Sequence, residues 1–230
     1  MPHSAQRRHP RVSVLLTGNP GVGKTTFVKK VLLGGDAGGA VDLKRWPACK
    51  VGSATQLVWH ARADGRVAVA GIYKFPDDAA WPAQRRGTSP ANGGTDVLQP
   101  QSVGLLADFL AGEPPFDTGV DLVVIEGCSN QKVGGPRVQE ALLDAERVLV
   151  LELKEEREVA VARLAARNRS KDGKGVKGVS AANVHDKFAN QVVAIKSKLA
   201  ARAAARGVSV EWHAGSAAEM ESVFALVAVP

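Results

Sequence analysis

Apolar residues along this chain follow two rhythms. Dense runs of Val, Leu and Ile occur at Val12-Ser13-Val14-Leu15-Leu16, Val67-Ala68-Val69-Ala70-Gly71-Ile72-Tyr73, Asp121-Leu122-Val123-Val124-Ile125-Glu126-Gly127, Val148-Leu149-Val150-Leu151-Glu152-Leu153 and Val208-Ser209-Val210-Glu211-Trp212. Their length and branching predict buried strands. Between them the apolar positions step by three and four. Phe27 to Val31 and Val28 to Leu32 predict a helix over 25–33, and Val103, Leu106 and Leu110 predict another over 101–110. A further helix is predicted over 155–168. A long one from about Asn183 to Arg206 carries an inward stripe of Val184, Phe188, Val192, Ile195 and Leu199. Ser216 is placed to cap a closing helix whose inner face is Met220, Val223, Phe224 and Val227. Strands alternating with helices indicate an α/β domain, a largely parallel sheet covered on both faces.

Turn chemistry divides these elements. Asp64-Gly65 lies between Gln56-Leu57-Val58-Trp59-His60-Ala61 and the run from Val67, a hairpin signal. Gly34-Gly35-Asp36-Ala37-Gly38-Gly39 stops the first helix. Residues 74–100 are rich in Pro, Gly, Asp and Arg without periodicity, which predicts a long loop, and loops of that length are commonly functional. A flexible glycine and lysine segment follows the helix over 155–168. Residues 1–10 are expected to be a disordered basic arm, with 11–230 as one domain.

The clearest chemistry is Gly18-Asn19-Pro20-Gly21-Val22-Gly23-Lys24-Thr25, a complete G-x-x-x-x-G-K-[ST] pattern followed by Thr26. A predicted strand enters it and a predicted helix leaves it, as the chemistry requires. Glycines let the backbone curl close to a polyphosphate with its N–H groups pointing inward, and the helix start adds further donors. Lys24 can reach the β- and γ-phosphates, and the Thr25 hydroxyl can sit on Mg²⁺. A plain turn that binds nothing needs neither Lys24 nor Thr25. The expected ligand is therefore a nucleoside triphosphate, ATP, with Mg²⁺. Two acids stand where the phosphate site should be. Glu126 ends a predicted strand, at the sheet edge where open α/β folds bind ligands, and Asp96 follows Gly93-Gly94-Thr95 in the long loop. A hydroxyl acceptor needs such a carboxylate for its proton, and the residues alone leave open which of the two takes it.

Composition narrows the setting. The 230 residues are 45% hydrophobic with a net charge of +7, and no apolar run approaches the length of a membrane span. Polar and basic opening residues do not make a signal peptide, so a cytoplasmic location is expected. Cys49 and Cys128 are isolated and suggest neither a disulfide nor a metal site. Between Lys154 and Arg206 there are 13 Lys or Arg against 5 Asp or Glu. Such a surplus suits a polyanionic partner, nucleotide phosphates or a nucleic acid backbone. Trp59, Trp81 or Tyr73 could stack on a base, although core aromatics are commoner. An N-K-x-D base-reading motif is absent, which argues against a GTPase switch.

The order of parts resembles the nucleoside and nucleotide kinase families that carry a phosphate loop. The likeness implies a P-loop kinase-like three-layer sandwich with a mostly parallel five-stranded sheet, an acceptor-binding insertion at about 35–118 and a flexible lid at about 168–183. By the same likeness Glu126 organises Mg²⁺ or the acceptor, and Arg163, Arg167 and Arg169 embrace the transferring phosphoryl group. Gly71-Ile72-Tyr73, Gly93-Gly94-Thr95-Asp96-Val97-Leu98, Pro100-Gln101 and Ile125-Glu126-Gly127 together resemble a narrower group, the phage-type 5-hydroxymethyluracil DNA kinases. That resemblance implies DNA containing 5-hydroxymethyluracil as partner, its hydroxymethyl group as acceptor, and Tyr73, Lys74, Gly93, Gly94, Thr95 and Asp96 facing it. In a phage-infected cell the location would be the host cytoplasm. A deoxynucleoside monophosphate kinase and a small nucleoside triphosphatase are the alternatives.

Overall fold

The computed structural model describes residues 10–34, 59–62, 64–71, 102–112, 120–169 and 180–228. Six strands build one sheet: β1 (Val12–Thr17), β2 (Trp59–Ala61), β3 (Val67–Ala70), β4 (Leu122–Glu126), β5 (Arg147–Leu153) and β6 (Val210–Gly215). Their order is β2-β3-β4-β1-β5-β6. Five of them, β3 to β6 together with β1, pair in parallel, and β2 is an antiparallel edge strand joined to β3. The helices are α1 (Lys24–Phe27), α2 (Ser102–Leu110), α3 (Pro136–Leu143), α4 (Arg157–Arg169), α5 (Ala181–Arg206) and α6 (Ala217–Ala228).

Strand periodicity sends alternate side chains to two cores. Val14 and Leu16 of β1, Val124 of β4 and Leu149 and Leu151 of β5 pack with Phe27, Val28 and Leu32 beside α1, Ala160 of α4, and Met220 and Phe224 of α6. Leu15, Ile125, Val148 and Val150 face the other way, onto Leu106 and Phe109 of α2, Val138 and Leu142 of α3, and Ile195 and Leu199 of α5. Each central strand is therefore covered twice. This is why its sequence is a continuous apolar run, and each fully buried aliphatic side chain is worth about 1.5–3 kcal/mol. The architecture is an α/β sheet flanked by helices on both faces, compatible with a three-layer sandwich. Among the described residues, no helix is long and apolar enough to cross a membrane.

Several expectations change in detail. The sheet has a sixth strand beyond the expected five, because the Asp64-Gly65 hairpin brings β2 into it as an edge. The first helix is α-helical only over Lys24–Phe27 and then widens into π geometry over Val28–Leu32, where the Leu33 N–H reaches the Val28 carbonyl at 2.9 Å. The last strand starts at Val210 rather than Val208. Gly207, at φ 65°, closes α5, and the Val208 N–H is spent on the Ala203 carbonyl. Helix α3, with Pro136 in its first turn, has no counterpart among the sequence expectations. The stripe on α5 is also different at its front. Val184 and Phe188 are only half-buried and His185 is the residue turned inward, followed by Val192, Ile195, Leu199 and Ala203. Trp59 is a core residue, 3% exposed, with its ring 6.1 Å from that of Phe109, and cannot stack on a base. β3 and α2 fall within the expected insertion over 35–118, yet both build the central layers.

Helices α3 and α5 are joined by a polar seam. Gln139, fully buried, donates to the Ile195 carbonyl at 3.1 Å and accepts from Arg202 Nε at 3.1 Å. Arg202 and Arg206 then reach Glu140, and Arg206 also reaches Asp144. The outer ion pairs, being partly exposed, add up to about 1 kcal/mol each, so Gln139 carries more of the seam. Replacing Gln139 by Leu removes both bonds and leaves Arg202 Nε without its acceptor, and is expected to lower stability by about 1–3 kcal/mol. Urea unfolding should show a lower midpoint with an unchanged slope; an unchanged midpoint would mean the seam is dispensable.

Candidate functional site

The crevice that matters opens between β1 and β4. These strands are neighbours, but the helices that follow them leave to opposite faces, α1 to one core and α3 to the other. Ligands in open α/β sheets bind at the carboxyl ends of strands at such a reversal. Here the glycine loop 18–23 leaves β1, and Glu126 is the last residue of β4, directly beside Leu16 in register.

The loop's shape is fixed by contacts as much as by turn preference. Gly18, Gly21 and Gly23 have φ of 135°, 89° and 95°, all in the region that side chains avoid. A Cβ on Gly18 would lie 2.4 Å from the Leu153 carbonyl oxygen, and one on Gly21 would lie 2.3 Å from that of Ala160. The end of β5 and the second turn of α4 thus press on the curl from behind. Lys24, only 7% exposed, folds back over it, its ammonium donating to the carbonyls of Gly18 at 2.8 Å and Asn19 at 3.1 Å. A buried cation must be held by oxygens, and the loop's own carbonyls hold this one. An anionic oxygen entering the curl would compete for the same ammonium.

Thr25 lies next to Lys24 and points across the crevice. Its hydroxyl is 3.5 Å from Glu126 Oε1, and Glu126 is 3% exposed. A hydroxyl beside a buried carboxylate is a pair of hard oxygen donors, suited to a cation such as Mg²⁺ that takes few protein ligands and completes its shell with water and phosphate oxygens. Among the described residues there is no cluster of three or more His, Cys, Asp or Glu that would form an all-protein metal cage. The turn after β4 is fastened to α5, with the Asn130 N–H donating to Gln191 Oε1 and Lys198 to Asn130 Oδ1.

A second set of contacts comes from α5, and sequence reasoning missed it. Asn19 Nδ2 lies 3.2 Å from His185 Nε2, and His185 Nδ1 lies 3.0 Å from Asp186 Oδ1. Asp186 in turn receives Arg157 of α4 in a two-pronged pair at 3.0 and 2.7 Å. The Arg157 hydrogen bonds first, and that of His185 second, hold the Asp186 carboxyl at about 2, below its ordinary value. A histidine on the inner side of an otherwise apolar helix was the available signal.

Of the expected phosphoryl-side arginines, Arg163 reaches the loop. Its guanidinium is 3.5 Å from the Gly21 carbonyl, a long contact, and 2.8 Å from the Glu155 carboxylate. Arg167 and Arg169 lie on the last turn of α4, and their side chains fall outside the described residues. Tyr73, Lys74, Gly93, Gly94, Thr95 and Asp96 also lie outside them, as do Trp81, Cys49 and the arm over 1–9. Cys128 is buried. Of the 13 basic residues over 154–206, five of the described ones, Arg157, Arg163, Lys196, Arg202 and Arg206, are each paired with a carboxylate, and Lys196 also lies over the Trp212 ring. A cavity of about 310 Å³ between Arg11, Arg66, Asp121 and Arg147 lies at the opposite, amino ends of the strands, remote from the crevice.

Comparison with family models of known proteins finds none that matches this chain, and comparison with curated proteins finds no match. The reading of the site therefore rests on its own geometry.

The Asp186 link has a signed consequence for stability. A carboxyl whose folded pKa is lowered adds stability above its unfolded value, and loses it as the pH falls through the folded value. Stability differences between wild type and Asp186→Asn should be full above about pH 4 and shrink toward pH 2. Thermal unfolding across that range checks it; a difference independent of pH would mean that the pair with Arg157 does not form.

Proposed function

We propose that this protein is a P-loop phosphotransferase that uses ATP and Mg²⁺ to phosphorylate a hydroxyl group, with the hydroxymethyl group of 5-hydroxymethyluracil in DNA as acceptor. The observation that carries the donor half is the arrangement at the crevice: the Lys24 ammonium bridging the loop carbonyls, with the Thr25 hydroxyl and the Glu126 carboxylate facing each other beside it. In this reading the loop amides and Lys24 cradle the β- and γ-phosphates, Lys24 exchanging the Gly18 and Asn19 carbonyls for phosphate oxygens. Thr25 and Glu126 hold Mg²⁺, which when bound neutralises charge on the phosphate oxygens. Arg163, joined by Arg167 and Arg169, supplies cations from the α4 side.

The transfer is an in-line displacement. The acceptor oxygen forms a bond to the γ-phosphorus as the bond from that phosphorus to the bridging oxygen breaks, leaving ADP. The acceptor proton passes to a carboxylate, Glu126 or Asp96. The acceptor half draws on the resemblance at Gly71-Ile72-Tyr73 and Gly93-Gly94-Thr95-Asp96. One observation favours a second reading, a deoxynucleoside monophosphate kinase. Five of the basic side chains over 154–206, the stretch whose charge suits a DNA backbone, are engaged by carboxylates of the protein itself.

Transfer of label from γ-labelled ATP separates the readings. Label on 5-hydroxymethyluracil DNA and not on free monophosphates is the expected result, and the reverse pattern overturns the DNA acceptor. Free phosphate released steadily with no acceptor present would indicate a triphosphatase instead. Lys24→Ala should cut transfer by about 100-fold or more while the protein stays folded. Near-normal transfer by that variant would contradict the donor site.

A further inference from the structure

The contact between the glycine loop and α5 is unusual for a helix whose inner side is otherwise apolar. From Val192 onward α5 buries Val192, Ile195, Leu199 and Ala203, the last three in the core beneath the sheet. Seven residues before Val192 the same side carries His185, 5% exposed, and its partners are polar side chains, Asn19 of the glycine loop and its own helix neighbour Asp186. A histidine that merely fills core space would satisfy itself on nearby backbone. This one instead spans from the loop to the pair that ties α5 to α4.

The hydrogen-bond pattern assigns its tautomer. Asn19 Nδ2 can only donate, so His185 Nε2 accepts, and the ring proton sits on Nδ1, where it donates to Asp186 Oδ1. Arg157 holds Asp186 from its other side, so the imidazole ring is oriented by a carboxylate that is itself fixed. At the far end, the residue that His185 grips is one of the two whose carbonyls hold the Lys24 ammonium. The chain of contacts therefore runs from Arg157 through Asp186, His185 and Asn19 to Lys24. It joins the starts of α4 and α5 to the cation at the crevice.

We propose that His185 is a positioning residue for the phosphoryl-donor site, fixing the Asn19 side chain and with it the peptide from which Lys24 must be released when a triphosphate enters. The inference rests on the donor site proposed above. It assigns His185 no contact with the reacting atoms. A loop anchored through Asn19 keeps its curl open to phosphate, whereas an unanchored one must be ordered at the moment of binding, and that cost falls on affinity. The effect therefore belongs in the affinity for ATP and not in the rate at saturation.

Three variants and two readouts test it. Calorimetry with ATP and Mg²⁺ is expected to show binding about tenfold weaker in His185→Ala and in Asn19→Ala, and restored to within about threefold of wild type in His185→Gln, whose side-chain oxygen can accept from Asn19. Turnover of His185→Ala at saturating ATP should stay within about threefold of wild type. Equal affinity in wild type and His185→Ala, or equal weakening in His185→Ala and His185→Gln, would overturn the proposal in favour of a space-filling histidine. The second readout needs no nucleotide. Nitrogen NMR of the imidazole should find the proton on Nδ1 and an Nε2 resonance that moves in Asn19→Ala; an unmoved resonance would overturn the contact itself. Wild-type protein that takes up no ATP while its imidazole signals behave as expected would instead remove the donor site, and the positioning role with it.

Discussion

A cation buried beneath a glycine loop needs oxygens around it, and the Lys24 ammonium has two, the carbonyls of Gly18 and Asn19. Much of the crevice follows from that requirement. The loop curls tightly enough to bring two successive carbonyls to one point, with positive φ at Gly18, Gly21 and Gly23. The curl in turn must be backed, and the carbonyl oxygens of Leu153 and Ala160 lie so close behind Gly18 and Gly21 that no side chain fits at either position.

The parallel sheet makes this local arrangement part of a larger one. β1 lies in the interior with β4 and β5 on either side, and all three present their carboxyl ends to the same edge. Glu126 comes to Thr25 through the β4 register and not through any nearness in sequence, since the two residues are 101 apart. Helix α5 contributes twice. Its last turns are bolted to α3 by Gln139, Arg202 and Arg206, its start reaches the loop through His185, and its middle reaches the turn after β4 through Gln191 and Lys198.

What the sequence displayed and what it concealed divide along physical lines. The glycine loop was legible because its chemistry is contiguous, and Glu126 because an acid closing a buried apolar run has to emerge at the sheet edge. The central strands were legible because covering on both faces leaves no polar alternation. The edge strand β2 brought Trp59 into the core, where Phe109 of α2 meets it, and only the tertiary pairing decides that. Val208 looked like strand but was taken by the cap after Gly207. His185 was passed over because an apolar stripe is sought among apolar residues, and its partner Asn19 is 166 positions away. The basic surplus of α4 and α5 was visible, yet the pairing of Lys196, Arg202 and Arg206 with Glu152, Glu140 and Asp144 depends on which helices and strands lie side by side.

The most direct test is a crystal structure with Mg²⁺ and a non-hydrolysable ATP analogue. The account expects the triphosphate within the curl of residues 18–25, the Lys24 ammonium moved from the Gly18 and Asn19 carbonyls onto phosphate oxygens, and Thr25 turned to the metal. A nucleotide lodged elsewhere, with Lys24 still bridging those two carbonyls, would contradict it.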